Sequence, residues 1–398
     1  MIRMEIRIIS AHGDYEVQLP STNLTLAEIC QLNRIPLSSA AFYSRRHDTG
    51  EVAPFADTLA KISELEQRFS QIVIRPDRNI DYNKVMPAAM ETDVSPQDVT
   101  SYLFKSVSSE EAKVIQKGFT AKECREYVDK QVARVVDRHQ DIMRDAPIVV
   151  GISGGGDSNA LLGALIAAGI AKENIRAVMI MGVPDWDKGR SRAQALCESY
   201  GIELRVYEAD EVSAVLGLRP GKDWVSGFEK TYPGVDVEVI GTLAIRRVLA
   251  AEVARLGGNT IVTGLNLEDL LADALMRVLE GKLPLPFPKR VVDGISIVYP
   301  LYMCPKRILD GCFPKYSLEN YEDRYPSHLD GRAIAYVLAQ SMNPLMAGIE
   351  FDLLRGLERL SEQWNSDELA FNPGIGFATI GNVSLEDQAK WRQYQIGQ

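Results

Sequence analysis

The residues most suited to chemistry in this sequence form a short glycine-rich turn, SGGGDS, at positions 153–158. The apolar run 148–152 precedes the turn and has the length and β-branched content of a buried strand. A second apolar stretch follows and predicts a helix over 158–169. A glycine turn at the start of a helix presents free backbone N–H groups and the positive end of the helix dipole. Together these groups bind anions, most often phosphate.

The side chains of the turn favour the same use. Glycine lacks a Cβ, so three glycines in a row let the backbone wrap closely around a phosphate group. The hydroxyls of Ser153 and Ser158 can donate to phosphate oxygens, whereas Asp157 would repel phosphate unless it holds Mg²⁺ or caps the helix. The turn is not a Walker A loop, because no GK[ST] follows the glycines, and it is not a GxGxxG turn.

Ser-Gly-Gly-x-Asp-Ser after a buried strand resembles the signature of the PP-loop, or N-type, ATP pyrophosphatases. In that superfamily the loop binds the pyrophosphate part of ATP and a substrate oxygen attacks the α-phosphorus. A second nucleophile then displaces AMP from the adenylated intermediate. The resemblance implies ATP and Mg²⁺ as cofactors. It assigns the β- and γ-phosphates to the loop residues Ser153, Gly154, Gly155, Gly156 and Ser158.

Within the superfamily the sequence is most similar to the tRNA 2-thiolation branch. The segment TGLNLEDLLADALMRVLEGK resembles that branch's motif TGHNxDDxAxTxLMxxxxG. By that match Asn266 orients the α-phosphate or the substrate. Asp157 and Asp269 organise Mg²⁺ through carboxylate oxygens, the ligands that hard cations prefer. Glu268 and Asp269 also suit the first turn of a helix, where the dipole favours acidic residues.

Three further residues are expected at the nucleotide site through the same resemblance. Met181 and Gly264 lie at the carboxyl ends of the second and last predicted strands, and both are assigned to nucleotide binding. Lys306 lies in VYPLYMCPKRIL, which resembles the branch's PL…K-E segment, and is a candidate charge stabiliser in catalysis. Arg190 is either a phosphate or substrate contact or a surface residue.

The chain departs from the thiolation branch at several positions of its pattern. Those positions are Val237 and Ile240 at the CxxC pair, Arg324 and Tyr325 near the third cysteine, Leu265 at the motif histidine and Gly156 at the loop lysine. Without the branch's thiols an iron–sulfur cluster cannot be ligated in the usual way, and a persulfide relay between two cysteines is lost.

Five cysteines occur, with no CxxC pair, so a disulfide framework or a structural zinc site is not predicted. Cys304 and Cys312 are the remaining candidates for thiol chemistry. Lys306 and Arg307 lie close to Cys304 in the sequence, and neighbouring positive charge lowers the pKa of a thiol. A reactive thiolate at Cys304 is therefore one hypothesis.

Three functions are consistent with these residues. The first is ATP-dependent adenylation of a carbonyl or carboxyl oxygen, followed by attack of a nitrogen or sulfur nucleophile. The second is sulfur insertion into tRNA or a small heterocycle, with sulfide or a thiocarboxylated carrier protein as the donor. The third is a nucleotide-binding regulatory protein that senses ATP or AMP without turnover.

The overall charge bears on the partner. The 398 residues carry a formal net charge of −10, whereas proteins that mainly grip nucleic acid are usually basic. A small-molecule or protein substrate is therefore favoured over tRNA, and a carrier protein and a homo-oligomer stay open. No apolar run reaches the length of a membrane span and no signal peptide is recognisable, so the default expectation is a cytoplasmic protein without a membrane partner.

The glycine turn belongs to an alternating pattern of strands and helices. Strands are predicted at 148–152, 176–182, 203–207 and 259–264, and helices at 158–169, 189–200, 242–256 and 267–280. This pattern predicts a doubly wound parallel α/β sheet, which the resemblance identifies as adenine nucleotide alpha hydrolase-like. Ligands of such sheets bind at the carboxyl ends of the strands.

The remaining sequence divides around that sheet. Residues 1–83 predict an α+β unit, in the order ββαβ, helical turn, β, that resembles the ubiquitin-like β-grasp fold. A linker is predicted over 84–99, and the PP-loop domain over 100–310, with preceding helices at 100–145. A C-terminal helical region and tail are predicted over 311–398. Asp293–Gly294 predicts a hairpin turn late in the PP-loop domain.

Overall fold

A computed structural model describes residues 4–10, 13–33, 35, 40–55, 57–76, 98–107, 112–144, 146–233, 235, 237–279, 281–317, 335, 338–339, 342–343, 346–361, 363, 369–370, 379–380 and 384–396. The chain folds into two compact units. One comprises Met1–Cys124 and Lys306–Ile349, and the other comprises Arg125–Pro305 and Glu350–Gln398. Within the described ranges, no helix is both long enough and apolar enough to cross a lipid bilayer.

The first unit contains a five-stranded mixed sheet. Its strands are β1 (Glu5–Ser10), β2 (Gly13–Glu16), β3 (Ala40–Arg46), β4 (Val52–Pro54) and β5 (Phe69–Pro76), in the order β2-β1-β5-β3-β4, with helices α1 (Leu26–Leu32) and α2 (Ile62–Leu65). β1 runs parallel to β5, which places buried Ile6 beside Ile72 and Ile8 beside Ile74. The predicted strands and helices are present, with β4 as an addition, and the ubiquitin-like likeness stays a prediction.

A β-hairpin follows, formed by β6 (Asp98–Val107) and β7 (Ala112–Thr120). The helical prediction from residue 100 is therefore wrong as far as residue 120. Aromatic rings pack along and across the hairpin: the centroids of Tyr102 and Phe104, both on β6, lie 5.2 Å apart, and the Phe104 centroid lies 6.0 Å from that of Phe119 on β7. Aromatic side chains of this kind are typical of paired strands.

Helix α3 (Ala121–Arg138) begins where the hairpin ends, because Thr120 and Glu123 cap it reciprocally. The Thr120 hydroxyl accepts from the Glu123 N–H at 3.2 Å, and the Glu123 carboxylate accepts from the Thr120 N–H at 3.0 Å. A short helix, α4 (Gln140–Met143), follows. The helical prediction is confirmed for this part of 100–145, including a buried face of Val128, Val132, Val135 and Val136.

The second unit is built on a six-stranded sheet, as the α/β prediction required. Its strands are β8 (Ile148–Gly151), β9 (Ile175–Ile180), β10 (Leu204–Tyr207), β11 (Thr260–Val262), β12 (Lys289–Val292) and β13 (Ile295–Val298). The order is β10-β9-β8-β11-β13-β12, and all neighbours are parallel except β12 and β13. The hairpin turn at Asp293–Gly294 is confirmed, since both residues have positive φ, 50° and 78°. β13 extends the parallel sheet beyond the four strands predicted.

Helices connect these strands. They are α5 (Gly156–Ala167), α6 (Pro184–Asp187), α7 (Arg190–Tyr200), α8 (Ala209–Val215), α9 (Trp224–Thr231), α10 (Val237–Leu256) and α11 (Leu267–Leu279). α5 follows β8 directly and α11 follows β11. Because β8 and β11 are neighbours, with Val150 beside Val262, the two helices begin side by side at the carboxyl edge of the sheet.

The later chain adds α12 (Lys306–Cys312), α13 (Ile349–Ser361), the paired strands β14 (Leu369–Ala370) and β15 (Thr379–Ile380), and α14 (Leu385–Ile396). α14 packs on α9, where the Tyr394 hydroxyl donates to the Trp224 carbonyl at 2.9 Å. Most of the predicted linker, 84–97, lies outside the described residues, as do Arg324 and Tyr325. The domain boundaries stay predictions.

A buried carboxylate on α10 provides a test of this packing. Glu252 accepts from the Tyr207 hydroxyl at 2.9 Å and from two Arg255 nitrogens at 2.8 and 2.7 Å. The hydrogen bonds from Arg255 hold the pKa of Glu252 below its usual 4.5, although burial acts in the opposite direction. A carboxylate with a lowered pKa stabilises the fold above the unfolded-state pKa, and that stabilisation is lost as the pH falls toward the folded-state pKa.

We therefore expect Glu252→Gln to lower the free energy of unfolding by about 1–3 kcal/mol at neutral pH. This difference should shrink as the pH falls below about 4.5. Denaturant unfolding between neutral pH and about pH 3 measures both effects. Glu203→Gln is the control, since the Glu203 side chain is 73% exposed in its pair with Arg176 and should matter little. An equal loss at every pH would contradict the assignment.

Candidate active site

The turn between β8 and α5 is tightly built. Gly154 has a φ of +74°, a conformation that favours glycine. A Cβ on Gly154 would lie 2.7 Å from the Gly189 carbonyl oxygen and 2.8 Å from the Ala193 nitrogen. A Cβ on Gly189 would in turn lie 2.5 Å from the Ser153 carbonyl oxygen. The turn and the start of α7 therefore require glycine on both sides of their contact.

The two serines of the turn bond to each other. The Ser153 N–H donates to Ser158 Oγ at 3.1 Å, and the two hydroxyl oxygens lie 3.3 Å apart. Ser158 is buried at 6% exposure, whereas Ser153 is exposed. Ser158 thus shapes the turn from inside, and of the two predicted phosphate donors Ser153 is the one that faces solvent.

Helix α5 starts in this turn without a side-chain cap. Its N-cap is Gly155, which has no side chain to accept from the first turn, and the Gly155 N–H itself donates weakly to Ser153 Oγ at 3.4 Å. The first N–H groups of a helix have no partner inside the helix, and the helix dipole places positive charge at the same end. Gly154, Gly155 and Gly156 are buried and carry no side chains that would cover these donors. The geometry is that of an anion site.

Asn266 joins this helix start to the next one. Its side-chain Oδ1 accepts from the Asp269 N–H at 3.0 Å, and its own N–H donates to Asp269 Oδ2 at 3.0 Å, so the two residues cap α11 reciprocally. Asn266 Nδ2 then donates to Asp157 Oδ2 at 3.1 Å. Asn266 is 3% exposed. The structure thereby brings together three predicted residues, Asp157, Asn266 and Asp269.

The carboxylates of Asp157 and Asp269 offer oxygen ligands of the kind Mg²⁺ prefers, and phosphate oxygens of a nucleotide would complete such a set. Among the described residues, no group of three or more histidine, cysteine or acidic side chains is placed to hold a metal without a ligand's help. The residues fit a cation that arrives with a nucleotide, and the magnesium assignment stays a prediction.

The other predicted nucleotide contacts lie at strand ends. Met181 follows β9 and is buried at 8% exposure, and its carbonyl accepts from the Trp224 indole at 3.3 Å. Gly264 follows β11, and a Cβ there would meet only ordinary contacts of 3.7 Å or more. Space and backbone conformation therefore do not require glycine at position 264. Both assignments to nucleotide binding stay predictions.

Two basic residues predicted near the site make other contacts. Lys306 belongs to the first unit, where its Nζ lies 3.2 Å from Oδ1 of the fully buried Asp310. Its catalytic role stays a prediction. Arg190 pairs with Glu208 at 2.8 Å and is largely exposed. Arg192, which the sequence analysis did not single out, donates from Nε to the Gly154 carbonyl at 3.3 Å.

The hypothesis of a reactive Cys304 is not supported. All five cysteines are buried, and Cys304 is fully so. Burial raises the pKa of the Cys304 thiol well above its usual 9.0, and the nearby carboxylates of Glu268 and Asp157 raise it further. Proximity in sequence to Lys306 and Arg307 does not offset the effects of burial and of these carboxylates. The thiol is therefore protonated at neutral pH.

Comparisons with known proteins find similarity in the part of the chain that contains the glycine turn. The family model of NAD synthase matches residues 128–222, which include the whole glycine turn. The U34-tRNA thiolase NcsA from Methanococcus maripaludis, determined with its 4Fe–4S cluster, is 18% identical to the chain. The match covers 70% of the chain and 91% of the thiolase, with a TM-score of 0.52. This likeness shows a shared fold.

Two further solved structures match less well. An NH₃-dependent NAD synthetase from Campylobacter jejuni is 16% identical, with 61% and 96% of the two chains covered and a TM-score of 0.35. An NMN synthetase from Francisella tularensis is 13% identical, with 62% and 95% covered and a TM-score of 0.38. These TM-scores are too low to support a conclusion. No curated protein matches the sequence.

The steric requirement at Gly154 gives a first prediction. Gly154→Ala forces a disfavoured backbone conformation and a backbone clash with α7, so we expect it to weaken ATP binding about tenfold or more. Gly169→Ala is the matched control, because Gly169 also has a positive φ, 85°, but has open space at the Cβ position. Calorimetric titration with ATP measures both. Equal affinity in the two variants would argue against a nucleotide at this turn.

The Asn266 bridge gives a second prediction. Asn266→Ser keeps a good helix cap but cannot reach Asp157, so stability should change by about 1 kcal/mol or less while ATP turnover falls about tenfold or more. Asp223→Ser is the control, since Asp223 caps α9 by accepting from the Ser226 N–H at 2.7 Å. Pyrophosphate release and thermal unfolding measure the two effects. Unchanged turnover in Asn266→Ser would show that the bridge serves only the fold.

Proposed function

We propose that this chain, a member of the PP-loop ATP pyrophosphatase superfamily, uses ATP to adenylate an oxygen of a second substrate. Membership follows from the family match over 128–222 and from the loop sequence SGGGDS. The activity is our inference. The observation that carries it is the hydrogen bond from Asn266 to Asp157, which fixes carboxylates beside an uncapped helix start.

In the first step the β- and γ-phosphates lie against the backbone N–H groups at the start of α5. The acceptor's carbonyl or carboxyl oxygen attacks the α-phosphorus, and the bond from that phosphorus to the bridging oxygen breaks. Pyrophosphate leaves with the electron pair of that bond. The helix dipole and the N–H groups stabilise the negative charge that builds on the departing group.

Asp157, Asn266 and Asp269 act at the α-phosphate side of this arrangement. Asp157 and Asp269 would hold Mg²⁺, which when bound neutralises charge on the phosphates. Asn266 positions Asp157 through its Nδ2 and caps α11 through its Oδ1, so one buried side chain orients both elements. Rigid support of this kind favours productive alignment of the reacting atoms.

In the second step a nucleophile attacks the activated carbon and AMP leaves with the acceptor's oxygen. We infer that a nitrogen nucleophile, or sulfide, enters from outside the protein, because all five cysteines are buried and Cys304 is held as a thiol. The acceptor is a small molecule or a protein rather than tRNA, as the net charge of −10 favours. A carrier protein could deliver the nucleophile.

Sulfur insertion into tRNA is the second candidate. It draws on the fold shared with the tRNA thiolase of Methanococcus maripaludis. Val237 and Ile240, in the place of the thiolation branch's CxxC pair, disfavour it. Thionucleoside analysis of tRNA from a deletion strain separates the two candidates, since an unchanged profile excludes the tRNA role.

An exchange screen tests the proposed activity. We expect ATP–pyrophosphate exchange with one class of acceptor among tRNA, carrier proteins and small carboxylates or carbonyl compounds. Asp157→Asn, which keeps the shape but removes the charge, should lower this exchange about a hundredfold or more without unfolding the protein. ATP binding with no exchange for any acceptor would instead indicate a regulatory nucleotide-binding protein. Full exchange by Asp157→Asn would contradict the assignment of Asp157.

A further inference from the structure

A second polar cluster lies at the same edge of the parallel sheet. Thr263 directly follows β11 and Tyr299 directly follows β13, one position beyond the paired residues Val262 and Val298. Side chains at equal positions of neighbouring parallel strands point to the same face of the sheet. Arg290 of β12 pairs with Ile297, two residues before Tyr299, and so shares that face. We call Thr263, Arg290 and Tyr299 the Arg290 cluster.

Arg290 and Tyr299 are buried, Thr263 is half-buried, and each of the three has a buried polar atom without a hydrogen bond in the described part of the chain. Arg290 is 1% exposed, and its guanidinium lies 4.8 Å from the centre of the Tyr299 ring. Arg290 Nε donates to the Pro286 carbonyl at 2.9 Å. Among the described residues, Nη1 of Arg290 and the hydroxyls of Thr263 and Tyr299 have no hydrogen-bond partner. Buried polar groups of this kind are rare unless a ligand or water satisfies them.

Arg290 is a buried cation with a distant counter-charge. In the described part of the chain it forms an ion pair with Asp273, whose carboxylate oxygen lies 3.9 Å from Nη2 and whose side chain is 31% exposed. Burial lowers the pKa of Arg290, and repulsion from Arg246 and Arg277 acts in the same direction. Arg246 is itself buried, at 5% exposure. A buried guanidinium whose carboxylate partner is 3.9 Å away is costly, and an anion bound to Arg290 would relieve that cost.

The position of the cluster points to the acceptor rather than to the nucleotide. β11 lies between β8 and β13, so Tyr299 is two strands, about 10 Å across the sheet, from the end of β8, which the glycine turn follows. Thr263 is three residues before Asn266 on the same connection. An acceptor whose oxygen meets the α-phosphorus near Asn266 can reach this cluster with a second group. Unused N–H and O–H donors beside positive charge select an oxyanion there.

We propose that the Arg290 cluster binds a carboxylate or phosphate group of the acceptor substrate. The assignment of the bound group to the acceptor substrate rests on the proposed function, whereas the existence of an anion site does not. The proposal narrows the acceptor to molecules that carry an anionic group in addition to the oxygen that is adenylated. It places Arg290 and Tyr299 in substrate binding.

Thermal unfolding of the full chain tests the anion site directly. Melting temperatures are measured with sodium phosphate, sodium succinate or sodium chloride at equal ionic strength. We expect phosphate or succinate to raise the melting temperature above its value in chloride, because a ligand of the folded state stabilises it. A larger gain with succinate assigns a carboxylate to the site, and a larger gain with phosphate assigns a phosphate.

Variants locate the effect. Arg290→Met and Tyr299→Phe should each lose about half of the gain or more. The matched controls should keep it. Arg205→Met removes another guanidinium that lies over a tyrosine ring, at 4.6 Å from Tyr207, and Tyr232→Phe removes another buried hydroxyl that has no partner among the described residues. If Arg290→Met does not fold, the loss or retention of the gain in melting temperature in Tyr299→Phe tests the proposal.

The Gly154→Ala variant distinguishes phosphate bound at the glycine turn from phosphate bound at the Arg290 cluster. A gain that disappears in this variant but persists in Arg290→Met and Tyr299→Phe overturns the proposal, as does the absence of any gain over chloride. Failure of ATP–pyrophosphate exchange with an intact anion effect would instead overturn the proposed function and leave the anion site standing. The two failures are therefore distinguishable.

Discussion

The candidate site depends on one partly buried hydrogen bond, from Asn266 Nδ2 to Asp157 Oδ2. It connects the first turns of α5 and α11, which follow the neighbouring strands β8 and β11. Two helix starts side by side concentrate positive partial charge at one place, and Asp157 is held within it by the side-chain amide of Asn266. The N–H groups at the start of α5 and the two carboxylates are thereby fixed relative to each other before any ligand arrives.

Close packing between the glycine turn and the start of α7 also supports that arrangement. The glycine turn packs against the start of α7 so closely that neither Gly154 nor Gly189 could carry a Cβ without displacement of backbone. The Ser158 hydroxyl stabilises the turn by accepting a hydrogen bond from the Ser153 N–H. The structure therefore divides the SGGGDS motif into residues that build the turn and residues that are open to a ligand.

Much of this was predictable because the signals are local. The strands of the parallel sheet are apolar runs, and the loop glycines and the Asn-x-x-Asp cap lie in short contiguous motifs. The hairpin at 98–120 was not predictable in the same way, since Val114 and Ile115 lie exposed on β7 and blur the alternation that marks a strand. The sequence predicts a helix from residue 100, whereas in the structure the helix begins only after the Thr120 cap.

Long-range contacts explain the other differences. Arg192 reaches the Gly154 carbonyl across a separation of 38 residues, and no pattern in the sequence links the two. Cys304 is close in sequence to two cations, yet burial and the acidic side chains of distant segments decide its pKa. The Arg290 cluster likewise exists only because β13 joins the sheet beside β11. Such features follow from the fold rather than from spacing.

The central claim is that the turn after β8 receives the diphosphate part of ATP beside the Asn266 bridge. A crystal structure with a nonhydrolysable ATP analogue and Mg²⁺ tests it most directly. The account predicts phosphate density within hydrogen-bond distance of the backbone N–H groups at 154–157, with the α-phosphate nearest to Asn266. An analogue bound elsewhere, with that turn holding no phosphate, would contradict it.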